Sequence, residues 1–194
     1  MIFPIFRALF YHRDHFMNQP PPLTSHILLL LFCIITVLSR VIPHPGNVTP
    51  FLALIILSNQ RQPQKTTLFC SMLVLFMSDC LLALWQPHSL FGSWTIFTYS
   101  GWIMIAWLTQ KIIQNTGFSL TWVGVASISF WVWTNFGTWL CGTLYNKTFV
   151  GLITCYSFAL PFLERSLIGD LLWFSLLSAA LHGYQRYHSL TIHR

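Results

Sequence analysis

Thr66-Thr67-Leu68-Phe69-Cys70-Ser71-Met72-Leu73-Val74-Leu75-Phe76-Met77-Ser78-Asp79-Cys80-Leu81-Leu82-Ala83-Leu84-Trp85 is an apolar run long enough to cross a bilayer as one helix. It carries a single ionisable pair, Asp79 followed by Cys80. A carboxylate inside a spanning helix is expensive and marks a functional site by default. The adjacent thiol is a soft ligand, suited to a transition metal or a metal-bearing molecule. Helical spacing sets Phe76, Met77 and Leu84 one turn from Cys80, so its face is apolar. Asp79 points about 100° away, where it can accept hydrogen bonds.

The composition agrees with that reading. The 194 residues are 55% hydrophobic and 7% charged, against about 25% charged in soluble domains. An all-α integral membrane protein is expected, with the lipid bilayer as its first partner. The net charge of +6 comes from ten Lys and Arg scattered singly, so no basic arm for nucleic acid is present. Five cysteines leave at least one unpaired within the chain, and no zinc-type spacing occurs.

Working outward, six crossings are expected: 26–42, 49–58, 66–85, 93–110, 119–140 and a last one within 149–183. The 149–162 stretch is short, and Glu164-Arg165 interrupts it, which leaves a half-span open there. Residues 1–25 read as a cytoplasmic lead-in, 26–185 as the six-helix transmembrane domain, and 186–194 as a cytoplasmic tail. Both termini then share a side with Arg7, Arg13, Arg61, Lys65, Lys111, Arg186 and Arg194. Arg40, Lys147 and Arg165 lie opposite. Seven cations against three make the terminal side cytoplasmic. Asp79 and Cys80 fall near the outer end of the third span, and Cys70 lies about 15 Å deeper.

Other outer-side groups have two readings each. Pro43-His44-Pro45-Gly46-Asn47-Val48-Thr49-Pro50 is a rigid turn, and such a loop also positions ligand contacts through His44 and Asn47. Cys141 and Cys155 are able to pair in an oxidising compartment. Asp170 is expected to open the last span, where its charge complements the helix dipole.

With these residues in view, the chain resembles the BtuM-like cobalamin transporters, solitary relatives of the substrate-binding S-components of energy-coupling-factor transporters. The likeness rests on its size and six spans, on the Pro43–Pro50 box and on Ser78-Asp79-Cys80. Tyr145, Thr148, Gly151-Leu152, Cys155-Tyr156, Pro161-Phe162 and Gly169-Asp170 add to it. It covers roughly residues 26–183. The resemblance implies cobalamin uptake across a bacterial inner membrane, with Cys80 as axial ligand of the substrate's cobalt. It also implies thiol-dependent removal of cyanide from cyanocobalamin. Asp79, His44, Asn47, Tyr156 and Phe76 are the candidate corrinoid contacts. The first span lacks the small residues at four-residue spacing that dock a coupling subunit in such transporters, so a dedicated coupling ATPase is not implied. No nucleotide-binding motif occurs, and any ATP would be hydrolysed by another chain.

Two readings from other classes stand beside this one. A membrane scaffold or assembly protein would use Asp79 and Cys80 as packing groups. An intramembrane thiol enzyme would use Cys80 as nucleophile, although no base neighbours it in sequence.

Overall fold

The computed structural model describes residues 23–42, 46, 48–85, 91–116 and 120–192. Every regular element among them is a helix, six in all: α1 Leu23–Val41, α2 Phe51–Asn59, α3 Gln64–Trp85, α4 Ser93–Thr116, α5 Leu120–Cys141 and α6 Phe149–Ile192. The expected lead-in lies almost wholly outside the described residues, as do His44 and Asn47.

The order of helices matches expectation, but two of them differ in kind. The second span is a helix of nine residues, about 14 Å long and half a bilayer core. Every one of its side chains is buried. A helix apolar all round has no face to offer water and must be enclosed. Pro63 helps to end it, since the ring cannot continue a helix. The Pro63 carbonyl then starts α3, accepting from the Thr66 and Thr67 amides at 2.9 and 3.1 Å.

The last span is one helix of 44 residues rather than two pieces meeting at Glu164-Arg165. Thr148 caps its start, its Oγ1 accepting from the Gly151 amide at 3.1 Å. Glu164 and Arg165 are both exposed, so they turn outward from the helix without breaking it. Pro161 lies inside the helix and removes one backbone donor there. The segment expected as a tail is helical as far as Ile192.

α2 is the hub. It packs against each of the other five helices, whereas those five touch only in the series α1–α3–α4–α5–α6. Among the described residues the series does not close, because α1 and α6 do not touch. A small crevice lined by Leu29 and Phe32 of α1, Leu57 of α2 and Leu181 of α6 occupies that opening. The core is correspondingly centred on Phe51, Leu54, Ile55 and Ile56 of α2, packed with Leu75, Ile105 and Val123. α4 and α5 approach closely where Gly101 sits: a Cβ there would come within 3.0 Å of the Phe130 ring. The Trp102 and Phe130 rings stack at 4.0 Å beside it.

Direction alternates along the chain. α1 and α3 run parallel, since Cys33 meets Cys70 at one level and Arg40 meets Asp79 farther up. α2 returns between them. α5 and α6 run antiparallel, with Trp131 bonded to the Ala159 carbonyl and Tyr156 to that of Val132.

Among the described residues two helices are long and apolar enough to cross a membrane, Gln64–Leu84 in α3 and Phe149–Tyr184 in α6; Leu29–Val41 of α1 is apolar but shorter.

Candidate functional site

The pair that opened the sequence sits in the last two turns of α3. Asp79 is bound on both oxygens. Arg40 Nη2, from the end of α1, donates to Oδ1 at 2.8 Å, and the Tyr99 hydroxyl of α4 donates to Oδ2 at 3.0 Å. The Arg40 guanidinium crosses over the Phe51 ring, 5.8 Å from its centroid, to reach the carboxylate. The start of α2 is thereby roofed by an ion pair. Three helices and the hub are tied at one point, and a charge that would be costly alone is neutralised. With side chains 19% and 23% exposed, the pair is neither surface ornament nor deep core.

This arrangement assigns Asp79 a job that sequence reasoning did not foresee. It was expected among the corrinoid contacts; in the structure each of its oxygens accepts one hydrogen bond, from Arg40 and from Tyr99. Arg40 was counted only as an outer-side charge. A cation in the last turn of one span and an acid near the same end of another were the available signal. Tyr99 gave none, because a tyrosine in a span is commonly interfacial.

Cys80 is a free, half-buried thiol. On the α3 wheel the buried residues Thr67, Ser71, Val74, Leu75 and Ser78 form one stripe. Cys80 lies on the opposite stripe, with the exposed Phe69, Leu73, Phe76, Met77 and Leu84. Its surroundings are apolar, as expected, yet they form an outward ridge and not an interior face. Phe76 is 44% and Leu84 79% exposed.

Tyr156 is placed elsewhere. Its hydroxyl donates to the Val132 carbonyl at 2.7 Å and its ring meets Trp131 edge-on. α3 and α6 do not touch, so Tyr156 and Cys80 are not neighbours. Cys141 and Cys155 are both free; the first is exposed and the second buried. Asp170 does not open a helix. It lies 21 residues past the first residue of α6, buried beside Ser127 of α5. Among the described residues no group of three or more His, Cys, Asp or Glu gathers to hold a metal ion. Cys80 is thus one donor, able to complete a coordination sphere that a ligand brings with it but not to build one.

Residues 22–190 match the model of a family of unknown function (DUF6580). No curated protein and no solved structure matches the chain.

Proposed function

The chain belongs to that family of unknown function, DUF6580, and from this premise we propose that it is a multi-pass inner-membrane protein that takes up cobalamin, Cys80 being the axial ligand of the substrate's cobalt. The carrying observation is the placement of Cys80: a half-buried free thiol at the end of α3 on a ridge of exposed Phe76, Met77 and Leu84. A corrin provides four in-plane nitrogens and leaves axial positions open. A single soft thiolate is what such a metal lacks, and the flat macrocycle covers apolar surface as it approaches.

The membrane reading is supported by where the apolar surface lies. Only 28% and 17% of the two membrane-length windows are buried, the reverse of a core helix in a soluble protein. Ile27, Leu30, Leu31, Ile34 and Leu38 extend the exposed apolar surface along α1. Such a belt is stable facing hydrocarbon and a liability facing water. The six-helix bundle related to energy-coupling-factor S-components belongs to the same proposal, with α2 as a half-length member.

A structural role is favoured for Asp79, each of whose oxygens accepts one hydrogen bond, from Arg40 and from Tyr99. It steadies the frame next to Cys80 and leaves the thiol to meet the ligand. The test is spectroscopic. Purified protein mixed with cobalamin should shift the corrin absorption bands, and Cys80→Ala should bind without that shift. Identical spectra from both proteins would remove Cys80 as ligand. No spectral change and no retention of cobalamin by either would end the uptake reading.

A further inference from the structure

The mechanism above leaves one buried acid unused. Asp170 is 9% exposed in the interior of α6, on the side of Ser127 of α5, whose buried hydroxyl has no hydrogen-bond partner among the described residues. Ser127 lies seven residues into α5, about 10 Å from its start at 1.5 Å per residue. The carboxyl is therefore within the thickness of the bundle and not at a helix end. Among the described residues no cation forms an ion pair with it. This is the opposite of Asp79, which is also membrane-embedded but paired with Arg40. A carboxylate buried without a counter-ion is best relieved by taking up a proton.

Its neighbours suggest what the proton is for. Gly169, beside Asp170, is so close to the α1–α2 connection that a Cβ there would stand 3.0 Å from the Val48 Cα. Val48, just before α2, therefore rests on α6 at the residue next to the acid. α2, the hub, also packs on α6 and has no titratable side chain. α5 contributes only Cys141, at its far end. On α6 itself the nearest charged groups, Glu164 and Arg165, are exposed and more than a turn away. His44 belongs to the neighbouring connection and lies outside the described residues.

We propose that Asp170 is a proton-binding site within the membrane, reversibly converted between carboxylate and carboxylic acid, and that its protonation is coupled through the Val48–Gly169 contact to occupancy of the substrate site. The coupling rests on the uptake reading given above; the proton site does not. The balance is simple: one proton is taken from water on the outer side and returned to water on the inner side, and no other reactant is consumed. The charged form pushes toward hydration and loosens the packing of Val48 on α6, whereas the neutral form lets Val48 settle against Gly169. A proton gradient then supplies the driving force that a chain without a nucleotide-binding motif needs from elsewhere.

Full-length protein in lipid vesicles provides the test. Infrared difference spectra between acidic and alkaline buffer should show a protonated-carboxyl band that disappears in Asp170→Asn and is restored, shifted, in Asp170→Glu. A band unaltered in Asp170→Asn would overturn the proton site, whatever the substrate is. Cobalamin uptake under an inside-alkaline gradient should rise several-fold for the wild type. Asp170→Asn should still give the thiolate-shifted corrin spectrum at one pH, which reports folding, yet show no response to the gradient. An equal gradient response in Asp170→Asn would overturn the coupling. Loss of corrin binding by the wild type would instead refute the uptake reading and leave the infrared result to decide the proton site.

Discussion

Arg40, Asp79 and Tyr99 form a unit whose members have unequal consequences. Removing the cation strands a part-buried carboxylate, and removing the acid strands a part-buried guanidinium, whereas removing both strands neither. Arg40→Ala is expected to lower stability by about 1–3 kcal/mol, read as a fall in the thermal midpoint in detergent. The double change Arg40→Ala with Asp79→Ala is expected to cost clearly less than the two single losses summed. Additive losses would show that the 2.8 Å pair is energetically idle. Cys80 answers a different measurement. Cyanide and thiolate compete for cobalt's axial position, and a thiolate held at the metal acts at high effective concentration. Cyanocobalamin mixed with the protein should release free cyanide, and Cys80→Ser should abolish the release; equal release from both would assign the chemistry elsewhere. Asp79 and Cys80 were legible as a pair because a charge stands out in an apolar run. The partners of Asp79 were not, since they lie 39 and 20 positions away in the chain.

At the scale of elements, α2 shows what hydropathy reads well and what it cannot. The stretch 49–58 was recognisable as apolar and short, with a proline-rich segment before it and the polar run 60–65 after it. That it would be the hub of the bundle is a fact about its neighbours. Asn59, at its end, is the polar anchor: Nδ2 donates to the Ala106 carbonyl at 2.9 Å and to Thr109 Oγ1 at 2.8 Å, both on α4. Asn59→Leu leaves those acceptors buried and adds bulk to a closed site, with an expected cost of about 1–3 kcal/mol. Asn59→Gln offers the same amide on a longer arm and should recover part of it. Unfolding midpoints that do not change in either variant would show that α2 is held by apolar packing alone. α6 gave the opposite lesson. Glu164-Arg165 looked like an interruption, but charged side chains on an exposed face do not end a helix, and their neighbours Leu163, Ser166 and Leu167 continue it.

For the whole molecule, alternation of direction decides which end of α3 carries Asp79 and Cys80. α1 and α3 run parallel with α2 returning between them, the alternation expected of successive helices, although α2 has only nine residues. Asp79 and Cys80 then stand at the end of α3 opposite Arg61 and Lys65, which flank its start. Cys80 should react with membrane-impermeant thiol reagents added outside, and bound cobalamin should protect it. Cys70, about 15 Å farther along α3 and turned toward Cys33, should be indifferent to the ligand. Labelling of Cys80 only from the cytoplasmic side would invert the orientation.

The sequence by itself determined the helical class, the apolar surface, the order of the segments and the isolation of the Asp79–Cys80 pair. These properties are local: hydropathy, proline and charge act over a few residues, and each can be read without knowing what lies opposite. Only the tertiary structure decided that Asp79 is bonded to Arg40 and Tyr99, that Cys80 lies on the outer stripe of α3, and that Asp170 lies inside a 44-residue helix and not at its start. Those outcomes depend on which helix faces which, and side-chain partners from distant parts of the chain share no local signal. The energy of a buried charge is set by what stands beside it in space.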